Sequence, residues 1–229
     1  MKIFAISDLH LSINNPKPMD IFGHKWDDYV DKIVMNWDKK VAEDDIVLIA
    51  GDISWAMHLE DAAADLEFIG RLKGTKIMIR GNHDYWWKSI TALRNMLPKN
   101  FYALQNDCVK IGDVIFCGSR GWMVDSASEE DKKIFDRELI RIKLSLDQMK
   151  KKRAEGDKVI LMLHYPPFKF VGDDSKVVDL INEYEIDKVV YGHLHVSKIK
   201  TPLSLKKGKT EYLLTSCDQI NNDPIELVF

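Results

Sequence analysis

The sequence has few cysteines, no long apolar run and almost no net charge, and each shortage excludes a class of protein. Its 229 residues include three cysteines, and 33 Lys and Arg against 36 Asp and Glu give a formal net charge of −3. Because Cys108, Cys117 and Cys217 are odd in number and widely spaced, we expect buried, reduced thiols and no disulfide framework. No stretch approaches the roughly 18–20 apolar residues that cross a bilayer. The charge balance gives no electrostatic footprint for duplex nucleic acid or an anionic membrane.

The beginning of the chain and its composition are typical of a cytoplasmic globular protein. Asp8 interrupts the first apolar segment before a signal-peptide core of roughly 7–15 residues is complete. The fractions of hydrophobic (45%) and charged (30%) residues exclude disordered and collagen-like chains. The sequence shows no internal repeat and no convincing interdomain linker. We therefore predict a single domain over residues 1–229.

Short runs rich in Val and Ile alternate with segments of helical period. The runs are nearly continuous in apolar character, which indicates strands buried on both faces. Helical spacing of apolar residues is clearest at 30–41 and 135–149, and Ser128 is a candidate N-cap for the second helix. Shorter helical patterns occur at 59–72, 89–97 and 177–184, and strands are predicted at 2–7, 46–50, 76–79, 114–117, 158–163, 188–191 and 211–215. The alternation predicts a layered α/β fold with its helices outside.

Potential metal ligands follow the predicted strands in five short motifs. The motifs are Asp8-Leu9-His10, Gly51-Asp52, Gly81-Asn82-His83-Asp84, His164, and Gly192-His193-Leu194-His195. Open α/β folds bind ligands at the carboxyl ends of their strands, so the five motifs should meet at one edge. Oxygen and imidazole donors without a nearby thiolate select Mn, Fe, Zn, Ni or Mg over Cu(I) or an iron–sulfur cluster. The pattern therefore predicts a divalent metal site.

Spacing within the motifs supports this interpretation. Residues two apart in an extended segment point to the same side, so we expect Asp8 with His10, and His193 with His195, to present paired ligands. A glycine also stands immediately before a candidate ligand at three places, Gly51, Gly81 and Gly192. Glycine at such positions allows a sharp turn or a close approach of two backbones.

The ordered motifs resemble those of the calcineurin-like metallophosphoesterase superfamily, whose signature is D-x-H, G-D, G-N-H-[DE], H and G-H-x-H. All five appear in this order between Asp8 and His195. The resemblance implies a four-layer α/β/β/α sandwich with the metal site at the C-terminal ends of the strands. It also implies a metal-dependent phosphohydrolase with a binuclear centre.

The same resemblance implies a set of metal ligands. One ion would be held by Asp8, His10, Asp52 and His195, and the other by Asp52, Asn82, His164 and His193. Asp52 would bridge two divalent ions, of which we favour Mn²⁺, with Fe, Zn, Ni or Mg as alternatives. Hydrolysis would then proceed by attack of a metal-bridging hydroxide on a phosphoester.

Two further residues of the third motif are predicted to be catalytic. His83 matches the position at which the family keeps an imidazole that stabilises the transition state or protonates the leaving alkoxide. Asp84 would orient His83 through its second ring nitrogen, unless it caps the following helix. Arg80 and Arg120 stand beside the motifs, where each could contact a phosphate or pair with a neighbouring carboxylate.

The expected substrate is a small phosphomonoester or phosphodiester. The sequence has no appended cap, no nucleic-acid module and no basic face, and the motifs do not separate monoesterases from diesterases. We expect neither duplex nucleic acid nor a membrane as a partner. Two alternatives stay open, a metal-dependent nuclease and a metal-binding interaction module without catalysis. Large aromatic residues follow the motifs, and we expect most of them to pack in the core.

Overall fold

The computed structural model describes residues 1–124, 128–195 and 202–229. The strands within these residues are β1 (Ile3–Ile6), β2 (Ile46–Ile49), β3 (Thr75–Met78), β4 (Phe101–Ala103), β5 (Cys108–Ile111), β6 (Val114–Gly118), β7 (Lys158–Met162), β8 (Lys188–Tyr191), β9 (Ser204–Lys207), β10 (Thr210–Leu214) and β11 (Ile225–Glu226). The helices are α1 (Tyr29–Lys40), α2 (Leu59–Gly70), α3 (Ile90–Met96), α4 (Glu129–Lys152) and α5 (Lys176–Glu183), and two short 3-10 helices, Asp20–Phe22 and His24–Trp26, precede α1.

The strands form two sheets of mostly parallel strands. The first has the order β11-β1-β2-β3-β4, and the second has the order β5-β6-β7-β8-β10-β9. Antiparallel pairs occur only toward the edges among the described strands, where β11 joins β1, β5 joins β6 and β9 joins β10. The central strands of each sheet therefore end on the same side, as crossover connections through helices require.

Three apolar clusters separate four layers. Between the sheets, Leu48 and Ile77 of the first belong to one buried cluster with Phe116 and Ile160 of the second. On the outer face of the first sheet, α1, α2 and α3 pack through side chains such as Trp37. Helices α4 and α5 cover the outer face of the second sheet. This layering confirms the predicted α/β/β/α sandwich.

All the predicted helices and strands are present in the structure. The strands that the sequence did not predict share a physical cause. All seven predicted strands occur with ends shifted by at most one residue, and all five helices occur, with Ser128 accepting a hydrogen bond from the Asp131 amide at the start of α4. Four strands were not predicted: β4, β5, β9 and β11. All are short or partly exposed, so they lack the continuous apolar run of a strand buried on both faces.

The structure also bears on the predictions about the cysteines and about membrane-spanning segments. Cys108, Cys117 and Cys217 are buried and unpaired, as expected for reduced thiols. Within residues 1–124, 128–195 and 202–229, no helix combines the length and apolar character needed to cross a bilayer.

Candidate metal centre

The segments that follow β1, β2, β7 and β8 are joined by hydrogen bonds within each sheet and between the two sheets. The Asp8 amide donates to the Gly51 carbonyl at 2.9 Å, and the Gly192 amide donates to the His164 carbonyl at 3.1 Å. His164 Nδ1 lies 2.9 Å from the carbonyl oxygen of Ala50, which belongs to the opposite sheet. The ends of strands from both sheets therefore meet at one place, where the predicted ligands lie.

The carboxylates and imidazoles at this place form two overlapping groups of donor atoms. Asp8, His10 and His195 make one group, Asp8, Asp52 and His164 make the other, and the ligand atoms in each lie within 4.8 Å of one another. Asp52 Oδ2 lies 3.7 Å from His10 Nε2 and 3.5 Å from His164 Nε2. Asp8 belongs to both groups, and the Asp52 carboxylate lies near an imidazole of each, which suits the bridging role predicted for it.

Asn82 brings a third kind of donor to the same place. Its Oδ1 lies 2.7 Å from His164 Nε2 and 2.9 Å from His193 Nδ1. Because His164 Nδ1 contacts a backbone carbonyl, the proton of the neutral ring belongs there and the lone pair belongs on Nε2. Asn82, His164 and His193 thus converge as the predicted second ligand set requires.

Four of these candidate ligands have left-handed backbone conformations. The φ angles are 58° at Asp8, 44° at His10, 52° at Asp52 and 69° at His193. Such angles are uncommon outside glycine and concentrate at functional sites. The extended alternation predicted for Asp8 with His10 and for His193 with His195 is therefore wrong, because β1 and β8 end before these pairs. The paired side chains face one centre because the chain turns sharply.

Glycine is required where the loops touch one another. A Cβ atom at Gly192 would lie 2.4 Å from both Asp8 Oδ2 and Ser7 Oγ, and a Cβ at Gly81 would lie 2.1 Å from Asp52 Oδ1. Both distances are far below van der Waals contact, so any larger residue would displace a candidate ligand. The predicted close approach of two backbones is confirmed at Gly81, where the added Cβ would also lie 2.2 Å from the Asp52 amide nitrogen, whereas the nearest atoms at Gly192 belong to side chains.

The centre contains buried negative charge with little positive charge to offset it. Burial, together with the charges of Asp8 and Asp84, raises the pKa of Asp52 to about 9. Burial lowers the pKa of His10 to about 3 and that of His193 to about 4, so both imidazoles are neutral and keep a lone pair. Divalent cations would offset the negative charge of the carboxylates and would be bound by the lone pairs of the imidazoles. The donor set therefore fits bound divalent metal ions.

Asp218 belongs to the site, although no motif in the sequence identified it. The Asp218 side chain is buried, and its Oδ1 lies 3.0 Å from His195 Nδ1. This contact leaves His195 Nε2 facing Asp8 Oδ1 at 3.6 Å. Burial lowers the pKa of His195, but the hydrogen bond to Asp218 and the charge of Asp8 outweigh it and raise the pKa. The available signal was an acidic residue shortly after the strand predicted at 211–215.

Asp84 does not make the predicted contact with His83. Its buried carboxylate instead accepts five hydrogen bonds, from the amides of Asp52, Ile53, Ser54 and Gly81 and from Trp86 Nε1. His83 Nδ1 has no hydrogen-bond partner within the described part of the chain. Helix α3 is capped by Ser89, so the alternative role for Asp84 is also wrong. Buried amides in the turns need an acceptor, and the carboxylate supplies it.

His83 lies at the rim of the donor cluster. Its amide donates to Asp52 Oδ1 at 2.8 Å, and its ring centroid is 4.6 Å from that of Trp55 and 5.6 Å from that of His10. Burial and the neighbouring His164 lower its pKa, although the side chain is only partly buried. The ring therefore sits beside the candidate ligands yet remains accessible to a substrate. Most of the aromatic residues after the motifs are buried, as expected: Trp86, Trp87, Tyr165 and Phe168.

Comparison with known proteins identifies relatives of this chain. The sequence profile of the calcineurin-like phosphoesterase family matches residues 1–197. Uncharacterized metallophosphoesterases from two strains of Helicobacter pylori are 28% and 27% identical over 207 residues, which make up 90% of this chain and 47% of each relative. The chain thus spans about half the length of the curated relatives it matches.

Solved structures of low sequence identity share the fold. A protein from Thermus thermophilus superposes with a TM-score of 0.60 at 12% identity, over 99% of this chain and 97% of that one. Phosphopantetheinyl hydrolase from Mycobacterium tuberculosis gives a TM-score of 0.56 at 14% identity, over 94% and 88% of the two chains. A protein of unknown function from Aquifex aeolicus gives 0.53 at 16% identity, over 98% and 95%. At these identities the likeness concerns the fold alone.

Proposed function

The chain belongs to the calcineurin-like phosphoesterase family, and from that membership we propose that it hydrolyses small phosphomonoesters or phosphodiesters with two bound divalent metal ions. The observation that carries the proposal is the position of the Asp52 carboxylate, within 3.7 Å of imidazole nitrogens on both sides. The bound ions would activate water and offset the charge on the phosphoryl oxygens.

We assign the ligands according to the two donor sets. Asp8, His10 and His195 would hold one ion, Asn82, His164 and His193 would hold the other, and Asp52 would contact both. The carboxylate, amide and imidazole donors suit Mn²⁺, which we propose as the working ion. The chain itself orients these donors, through the Asp218 contact to His195 and the Ala50 contact to His164.

A substrate survey tests the proposal. Purified protein with Mn²⁺ should hydrolyse p-nitrophenyl phosphate, its bis-ester or a cyclic nucleotide. Treatment with EDTA should abolish the hydrolysis, and added Mn²⁺ should restore it. Single-stranded DNA is included as a competing substrate. A marked preference for DNA would indicate the nuclease alternative, whereas no turnover with any divalent ion would indicate an interaction module without catalysis.

His83 is expected to protonate the leaving oxygen. Replacing it by alanine should lower kcat on an alkyl phosphoester by about a hundredfold, because an alkoxide leaves poorly without a proton. The loss on a p-nitrophenyl ester should be much smaller, since that leaving group is stable as an anion. Steady-state kinetics on both esters, with metal content measured in parallel, provide the comparison.

The matched control for this variant is His58→Ala. His58 is exposed and makes no side-chain capping bond at the start of α2, so its removal should leave both rates unchanged. Equal losses on the alkyl and p-nitrophenyl esters in His83→Ala would exclude the role of proton donor.

A further inference from the structure

A cavity lined by basic side chains lies beside the candidate metal centre. Its volume is about 200 Å³, and its walls come from the segments after β3, β4 and β6 and from α4. Four basic residues, Arg80, Lys88, Arg120 and Arg141, line it together with one carboxylate, Glu138. We call this site the basic cavity.

The carboxylate in the basic cavity does not balance its guanidinium groups. Glu138 is 1% exposed and pairs with Arg120 at 3.3 Å and with Arg141 at 2.5 Å. Arg80 has no carboxylate within 4.0 Å in the described ranges, and its Nε donates to the Asp84 carbonyl at 3.2 Å. The cavity thus gathers like charges that an anion would offset.

The polar groups of the basic cavity suit an anion with several oxygen atoms. Gln105 Oε1 accepts a hydrogen bond from Trp87 Nε1 at 2.8 Å, so the amide nitrogen of Gln105 remains as a donor to the cavity. Guanidinium groups present several donors in a planar fork, which matches phosphate oxygens. The volume is large enough for a phosphoryl group.

A continuous wall connects the basic cavity to the metal ligands. The Arg120 carbonyl accepts hydrogen bonds from the amides of His164 and Tyr165 at 3.0 and 3.1 Å. The Arg120 guanidinium lies 4.6 Å from the Trp122 ring, which is 5.1 Å from the ring of Tyr165. The Tyr165 ring in turn lies 4.3 Å from that of His193. Arg120 therefore adjoins both the basic cavity, which it lines, and the candidate ligand His164.

We propose that the basic cavity binds a second phosphoryl group of the substrate, apart from the group that is hydrolysed. This inference rests on the proposed function and names its substrate class, small molecules that carry two separated phosphoryl groups. Such a substrate would be preferred over one with a single phosphoryl group. Its second phosphoryl group replaces water around Arg80, Arg120 and Arg141, while the phosphoryl group that is hydrolysed meets the metal ligands.

Calorimetric titration of metal-free protein with inorganic pyrophosphate tests the cavity without hydrolysis. Wild-type protein in EDTA should bind pyrophosphate, and Arg141→Gln should bind it about tenfold more weakly, because a charge-assisted hydrogen bond is lost. Arg80→Gln should show the same loss. Arg137→Gln, one turn away on the exposed side of α4, is the matched control and should bind like the wild type. Wild-type affinity in either folded cavity variant would overturn the inference.

A series of alkane bisphosphates tests whether the bound group belongs to the substrate. For one spacer length, kcat/KM should exceed that of the matching alkyl monophosphate by about tenfold, and the ratio should fall toward one in Arg141→Gln and persist in Arg137→Gln. If the bisphosphates are hydrolysed but none is preferred over its matching monophosphate, this inference is wrong and the proposed function stands. Absence of turnover on every ester would overturn the proposed function, and the titration would then decide whether the cavity is an anion site.

Discussion

Replacing Asp52 by asparagine is expected to reduce phosphoester hydrolysis by more than about a hundredfold. Mutating a residue that only supports a metal ligand already costs about 10–100-fold in metal affinity or activity, and Asp52 is proposed to be a ligand itself. The Asp52 carboxylate lies 3.7 Å from His10 Nε2 and 3.5 Å from His164 Nε2, two imidazoles that we assign to different ions. An amide keeps the shape but removes the charge that holds two cations close together. Steady-state kinetics with Mn²⁺ and metal content per protein measure the effect.

The Asp52→Asn variant should lose metal without losing its fold. The carboxyl pKa of about 9 is raised above its usual value, so ionised Asp52 destabilises the metal-free protein. The metal-free wild type therefore loses stability as the pH rises from about 4 toward 9, whereas asparagine does not ionise and causes no such loss. In EDTA at about pH 8, the variant should therefore melt at or above the wild-type temperature.

A matched control separates this effect from a general loss of acidic residues. Asp61 is an exposed aspartate in the first turn of α2, and Asp61→Asn should keep the wild-type activity and metal content. If Asp52→Asn kept most of its hydrolysis with a full complement of metal, the assignment of Asp52 as the shared ligand would be wrong.

The fold could be predicted where burial leaves a mark in the sequence. Strands β1, β2, β6 and β8 are buried along their whole length, and their continuous apolar runs identify them. Edge strands bury one face at most. The pattern of β9, which alternates between exposed and partly buried residues, resembles that of an irregular surface segment. The missing strands were therefore the ones whose stability comes from pairing with a neighbour.

The candidate ligands could be predicted from their position, but their local geometry could not. Asp8 and His10 follow a buried strand, which indicates a functional edge. Their left-handed backbone conformations depend on tertiary contacts, because neither residue type requires them. Asp84 was misinterpreted for a similar reason. Four of its five hydrogen-bond donors are backbone amides, which every residue except proline carries, so no residue type marks them in the sequence.

Replacing Asp84 by alanine is expected to lower the free energy of unfolding by about 4 kcal/mol, because each buried donor left without a partner costs about 1–3 kcal/mol and water can reach some of them. The amides that lose their acceptor include that of Asp52, so the loop that carries the proposed shared ligand loosens as well. Chemical denaturation in EDTA measures the stability. Titration with Mn²⁺ should show weaker binding in the folded variant.

The Asp84→Asn variant makes this prediction specific to the hydrogen bonds. Asp84 Oδ1 accepts from Ile53, Ser54 and Trp86, and Oδ2 accepts from Asp52 and Gly81. Asparagine retains one oxygen but turns an NH₂ group toward amides that also donate, so its stability should lie between those of alanine and the wild type. Asp61→Ala, on the exposed face of α2, should change the stability by less than about 0.5 kcal/mol. A wild-type unfolding midpoint for Asp84→Ala would mean that the loop amides find other acceptors, and Asp84 would then not hold Asp52 in place.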